Sequence, residues 1–225
     1  MPTLSSSSDY RKKRIAVLIS GNGSNLQAII DHQQQHAELY EIAIVISNRP
    51  QAFGLKRAAD AHIEQKVIDH TEFDSREAFD AELQKLIDSH QIDLVVLAGF
   101  MRILTQDFTR HYLGRMLNIH PSLLPKYTGL NTHTRAIEAG DKEHGLSIHF
   151  VTPELDGGPV ILQAKLEIGA DDSADSLAEK VHRLEHLAYP QVVQWFVEDR
   201  LSLKDNHAWL DQNCLQTPVE FNADI

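Results

Sequence analysis

Between residues 14 and 100 the chain alternates short, nearly unbroken apolar runs with longer stretches in which apolar residues recur every three or four positions. The runs at 14–20, 41–47, 63–68 and 93–100 predict strands. The intervening stretches at 25–36 (Leu26, Ile29 and Ile30 on one side), 53–62 and 75–90 predict helices. Segments such as Ala16-Val-Leu-Ile19 and Leu94-Val-Val-Leu97 lack the polar alternation of a half-exposed sheet, as strands covered by helices on both faces do. Strand and helix in this succession make βαβ units, so the expected fold class is α/β, a Rossmann-like, doubly wound, mostly parallel sheet. Beyond residue 115 the rhythm tightens. Strands are expected at 116–120, 145–151 and 159–168, some of them antiparallel, with a short helix at 134–139. Residues 173–200 read as a long amphipathic helical region interrupted at Pro190, with Ser173 as N-cap and Asp175 and Ser176 in the first turn.

At 225 residues and 42% hydrophobic content, one sizeable core and one domain are expected over residues 15–225, preceded by a disordered extension at 1–14. That extension holds four basic side chains against one Asp, a net of +3, so a total of −11 leaves −14 on the remainder. Such an acidic body argues against a nucleic-acid surface. An anionic ligand must then be held locally, by helix N-termini and single arginines. The lone Cys214 excludes an intrachain disulfide. The longest apolar run, residues 94–101, is far too short to span a bilayer, and the first fourteen residues lack the apolar centre of a signal peptide. A soluble cytoplasmic protein with no membrane partner is expected.

Three patterns carry candidate chemistry. The first is Asn118-Ile-His120 followed thirty-six residues later by Asp156-Gly-Gly-Pro159. On a strand, Asn118 and His120 point to the same face, where two donors can converge on the oxygen of a carbonyl turning tetrahedral while a carboxylate orients the imidazole. No obvious nucleophile accompanies them, which points to acyl-type transfer without a covalent enzyme intermediate. The plain alternative is a strand end and a turn. The second pattern, Ser20-Gly-Asn-Gly-Ser-Asn25, falls between the first strand and first helix, where exposed amides favour a phosphate. Leu26 stands where the dinucleotide fingerprint needs its third glycine, and no Lys-Ser/Thr completes a nucleoside triphosphate loop. A phosphomonoester on a small substrate remains, with a simple tight turn as the alternative. The third, His182-Arg-Leu-Glu185-His186, has the spacing of a zinc-protease helix. Only thirty-nine residues follow it, and an ordinary helix face with Glu185 free for a substrate is preferred, so no metal is expected.

Taken in order and spacing, the segments at 19–28, 97–104, 117–126 and 149–163 resemble the phosphoribosylglycinamide formyltransferase family, the folate-dependent transformylases of purine synthesis. The resemblance runs from Ile15 to about Leu210. It implies that Gly23, Ser24 and Asn25 bind the phosphate of glycinamide ribonucleotide, and that Glu185, with His182, Arg183 and Leu184 beside it, holds the same substrate. It implies a site for 10-formyltetrahydrofolate, the co-substrate, lined by Arg76, Met101, Arg102, Ile103, Leu104, Asn118, Thr152, Pro153, Glu154, Leu155 and Asp156. Arg76 would pair with the folate glutamate carboxylate. The substrate amine would attack the formyl carbon directly. Asn118 and His120 would stabilise the oxyanion, and Asp156 would pair with the imidazole and help carry the proton, through water, toward the departing folate nitrogen. Ser147 and His149, alternating on their strand, either support the site or pack in the core. Thr128 and Asn131 depart from the Pro and His common in the family. A formyltetrahydrofolate hydrolase and a methionyl-tRNA formyltransferase share such a site, but each usually carries a further domain for which this chain has no room. A catalytically inactive phosphate-ligand sensor is a third alternative. A monomer or weak homodimer is expected.

Overall fold

The computed structural model describes residues 11–222, so residues 1–10, most of the expected extension, lie outside the described residues. The first strand, β1 (Lys13–Ile19), starts one residue before its expected position. It is anchored where it enters the fold: the Arg11 guanidinium and the Arg14 amide both donate to the carboxylate of Asp93, at 2.6 and 2.7 Å. The chain continues through α1 (Ser24–Gln35), β2 (Tyr40–Ser47), α2 (Gly54–Asp60), β3 (Gln65–Val67), α3 (Arg76–Ser89), β4 (Leu94–Leu97), α4 (Gln106–His111) and β5 (Met116–His120). Then follow α5 (Thr132–Glu138), β6 (Glu143–Phe150), β7 (Val160–Glu167), α6 (Ala174–Val197), β8 (Leu201–Lys204), β9 (His207–Leu210), β10 (Asn213–Cys214) and β11 (Val219–Phe221).

Eight strands form the main sheet in the order β11-β7-β6-β5-β4-β1-β2-β3. Within it β6 alone runs against its neighbours, pairing antiparallel with β5 and β7, while the other pairings are parallel. This is the mostly parallel, doubly wound architecture that the apolar runs predict. Alternation within β1 shows both faces covered. Ile15, Val17 and Ile19 enter a core shared with α1 and α6, and Ala16 and Leu18 enter a second core built with Phe79, Leu83 and Ile87 of α3. After β3 the chain crosses back to lay β4 on the far side of β1. The carboxyl ends of β1 and β4 therefore flank the topological switch point, where crevices open in sheets of this kind.

Three expectations change. The helical region is not interrupted: α6 runs through Pro190, which is itself buried. An interior proline forfeits a backbone bond and costs about 3 kcal/mol, but burial of Leu177, Val181, Leu184, Ala188, Val192 and Val193 along the helix offsets that. Next to the proline, the fully buried Tyr189 hydroxyl lies 3.0 Å from the Leu97 carbonyl and 3.1 Å from that of Leu117, holding α6 over the ends of β4 and β5. The short α4 and the strands β8 to β11 were not expected; β8, β9 and β10 form a separate three-stranded antiparallel sheet. Helix α5 begins two residues early, with Asn131 at its N-cap in the left-handed region (φ 58°), a conformation Asn tolerates better than most residues. No helix among the described residues is long and apolar enough to cross a membrane.

Candidate active site

The loop leaving β1 ends at Gly23 (φ 73°), which precedes α1 directly, and no side chain caps the helix there. Glycine is required: a Cβ at this position would come within 2.7 Å of the Gly54 Cα. The first-turn amides of α1 thus face outward for an anion. Arg57 braces the loop from behind, donating to the Asn22 carbonyl (2.9 Å), the Asn22 side-chain oxygen (3.0 Å) and Gln27 (3.3 Å). Asn25, the second residue of the helix, reaches across to α6, where its Nδ2 donates to Glu185 Oε2 at 2.7 Å. Its own Oδ1 is buried without a partner. Glu185 is 3% exposed, and burial raises its pKa against the opposing pull of the Asn25 hydrogen bond and of His182 and His120. His182 and Arg183 are exposed, whereas the Leu184 side chain packs into the core behind them. Of these four α6 residues, Leu184 has its side chain in the core rather than on the side of the site.

At the end of β5, Asn118 and His120 project to one face as their spacing predicts, and β6 delivers His149 directly opposite Asn118. His149 Nδ1 lies 2.8 Å from the Phe150 carbonyl, so this nitrogen carries the proton and Nε2 accepts from Asn118 Nδ2 at 3.1 Å. Burial, which lowers the His149 pKa, keeps that ring neutral. The Asn118 amide is thereby oriented, with one N–H spent on His149 and the other left over. His120 Nε2 donates to the Tyr127 carbonyl at 2.8 Å, and its Nδ1 stands 3.6 Å from Asp156 Oδ2. Asp156 also accepts from the Gly129 amide at 2.8 Å. Its side chain is 8% exposed, that of His120 7%. Asp156 (φ 51°) sits in a turn pressed against the end of β6, where a Cβ on Gly158 would fall 1.8 Å from the Phe150 carbonyl. Only glycine allows the turn to approach closely enough to bring the carboxylate to His120.

The third wall is unlike the other two. Residues 101–104 leave β4 without regular structure, and Met101 and Ile103 are 55% and 54% exposed, as is Leu155 (55%) in the turn before Asp156. Among the described residues the N–H groups of Arg102, Ile103 and Leu104 find no protein acceptor. Arg102 stacks on Phe79, 4.5 Å from the ring centre. Arg76, in the first turn of α3, is exposed. Thr152 and Pro153 are partly buried and Glu154 is exposed. This is an apolar strip fringed with free amides, suited to a flat heterocycle with hydrogen-bonding edges.

The structure thus brings together Asn118, His120 and Asp156, and separately Asn25 and Glu185. It assigns His149 to the site and Ser147 to its support: the Ser147 hydroxyl donates to the Ser122 carbonyl (2.7 Å) and accepts from the Leu124 amide (2.9 Å), fixing the chain that follows His120. Sequence reasoning missed Tyr127 and Gly129, whose contributions come from the backbone and leave no side-chain signature. The zinc-like spacing on α6 has another use. Glu185 is turned to Asn25, the His182 and His186 rings stack at 6.4 Å, and no group of three or more His, Cys, Asp or Glu among the described residues is placed to hold a metal.

Comparison with known proteins gives a consistent set of relatives. The formyl transferase family matches residues 13–193. Phosphoribosylglycinamide formyltransferase of Escherichia coli (strain K12) is 57% identical over 210 residues, covering 93% of this chain and 99% of that protein. The Haemophilus influenzae protein of the same name is 50% identical over 203 residues, 90% and 96% of the two chains. A solved structure of phosphoribosylglycinamide formyltransferase from Coxiella burnetii superposes with a TM-score of 0.90 at 52% identity, covering 94% of this chain and all of that one.

Proposed function

The chain belongs to the formyl transferase family, and from that premise we propose that it transfers the formyl group of 10-formyltetrahydrofolate to the amine of glycinamide ribonucleotide in purine biosynthesis, acting in the cytoplasm. The observation that carries this reading is the meeting of Asn118, His120 and Asp156 at the carboxyl end of β5, on the same edge of the sheet as the loop after β1 and the apolar strip after β4. A site of that kind suits two ligands of different chemistry reacting across a pair of hydrogen-bond donors. The phosphate rests on the amides of Gly23, Ser24 and Asn25, and Glu185 with His182 holds the rest of the ribonucleotide. The folate lies along Met101 to Leu104 and residues 152–156, with Arg76 toward its glutamate.

The amine nitrogen attacks the formyl carbon, and the carbonyl electrons move onto oxygen. Asn118, through the N–H not used by His149, and His120, through Nδ1, donate to that oxyanion. Asp156, fixed by the Gly129 amide, faces the same nitrogen and accepts the proton that the attacking amine loses, through water. The tetrahedral carbon collapses with cleavage of its bond to the folate nitrogen, which takes up the proton. No bond to the enzyme forms at any step.

The test is to mix purified protein with both substrates and follow deformylated folate by absorbance, with and without the ribonucleotide. Folate product that appears only with ribonucleotide supports the transferase. Product without it identifies a hydrolase, and binding of both ligands without turnover identifies an inactive sensor.

A further inference from the structure

The two substrate loops are joined by one buried hydroxyl. Ser20, at the end of β1 where the phosphate loop begins, is 4% exposed. Its hydroxyl donates to Asn48 Oδ1 at 2.6 Å and accepts the backbone N–H of Met101 at 2.7 Å. Asn48, just past β2, is 1% exposed, so the node is closed to water. Met101 is the residue at which the apolar strip begins. The strip's other end is pinned as well: the Thr105 amide donates at 2.6 Å to Oδ2 of Asp80, a carboxylate 3% exposed on α3. Between the two pins the amides of residues 102–104 find no acceptor among the described residues. The two pins differ in kind, because Asp80 sits on α3, the helix that packs in the second core, whereas Ser20 stands at the start of the phosphate loop.

We propose that Ser20 is a positioning residue coupling the two ligands, its hydroxyl setting the place of the folate strip according to the state of the phosphate loop. This inference rests on the assignment of the two loops made under the proposed function. The loop is already braced, and a phosphate seated on the amides of residues 23–25 removes what motion it keeps and, with it, that of Ser20. The Met101 amide is then held at one position, and the strip no longer loses that freedom when folate binds. Ribonucleotide therefore tightens folate binding and, by linkage, folate tightens ribonucleotide binding equally. Asp80 sharpens the strip without transmitting anything from the phosphate loop.

Tetrahydrofolate, which lacks the formyl group and so cannot react, serves as the folate probe. Its Kd is measured with and without saturating ribonucleotide. In the wild-type protein ribonucleotide should tighten it by about fivefold or more. In Ser20→Ala the tightening should vanish while the ribonucleotide Kd in the absence of folate stays within about twofold, since the phosphate-binding amides are untouched. In Asp80→Asn tetrahydrofolate should bind more weakly but still respond to ribonucleotide. If Ser20→Ala does not fold, hydrogen exchange on the wild-type protein decides: ribonucleotide alone should slow exchange across residues 98–105. Equal tetrahydrofolate affinity with and without ribonucleotide in the wild type, undiminished tightening in Ser20→Ala, or unaltered exchange would each overturn the inference. Failure of the wild type to bind either ligand would instead overturn the functional reading beneath it.

Discussion

The phosphate loop and the folate strip leave neighbouring strands, β1 and β4, yet they are built in opposite ways. The loop is complete before any ligand arrives. Its turn is fixed by Gly23 against Gly54, its back is braced by Arg57, and its second helical residue is tied to Glu185 on α6. The strip is held at its ends and open between them, with Met101 and Ile103 exposed and three amides without a partner among the described residues. The difference follows the chemistry proposed for each. A phosphate is small, symmetric and strongly hydrated, so only donors already in place compensate for its desolvation. A large flat heterocycle gains from apolar contact that a loosely held strip can close upon. The proposed catalytic residues belong with the loop in this respect, because Asn118, His120 and Asp156 are each oriented by a protein partner.

If the rigid half carries the chemistry, His120→Ala and Asp156→Asn should lose activity by a factor on the order of a hundred to a thousand or more, the usual cost of an oxyanion donor or its partner. Circular dichroism and melting temperature should show both variants folded; turnover near wild type in either would break the assignment. Gly23→Ala strikes the turn itself and should raise the KM for ribonucleotide by about tenfold or more, with a lower melting temperature, because alanine is strained at positive φ. The KM for folate in that variant measures how far the two halves are independent. On the open side, Ile103→Ser removes apolar contact but no fixed geometry, and should raise the folate KM by roughly tenfold with kcat and the ribonucleotide KM nearly unchanged. A drop in kcat instead would mean that the strip, too, is preorganised.

The smallest effect is on stability against pH. Burial, reinforced by His144, His182 and His120, lowers the His133 pKa from 6.5 to about 4, and burial also lowers that of His144, whose Nε2 lies 3.0 Å from His133 Nδ1. Between those values the unfolded chain takes up a proton that the folded protein refuses, so stability must fall as pH drops from about 6.5 toward 4. His133→Asn should flatten the dependence of melting temperature on pH in that window. An unchanged slope would show that His133 is protonated as easily in the fold as outside it.

How much of this was legible beforehand follows from sequence separation. The βαβ half could be read because buried parallel strands announce themselves as unbroken apolar runs and their helices as a three-to-four periodicity. The strands β8 to β11 are two to four residues long and partly polar, and such segments carry no period. Pro190 misled because the penalty of a proline is local, whereas the burial that outweighs it involves residues spread over the whole of α6. In the site, Asn118 and His120 could be paired because two residues apart on a strand means one face. The phosphate loop could be located because its glycines lie between a strand and a helix. The bonds from Asn118 to His149 and from Ser20 to Met101 join residues 31 and 81 positions apart, and only the sheet order brings them together. Tyr127 and Gly129 act through backbone groups that every residue possesses.

The most direct test of the central claim follows the formyl carbon itself. The purified protein is given 10-formyltetrahydrofolate labelled with carbon-13 in the formyl group together with glycinamide ribonucleotide, and products are identified by mass spectrometry. The account predicts one labelled formyl group on the ribonucleotide amine for each folate deformylated, with no label on the protein at any time. Label recovered as formate, or attached to a side chain of the enzyme, would contradict it.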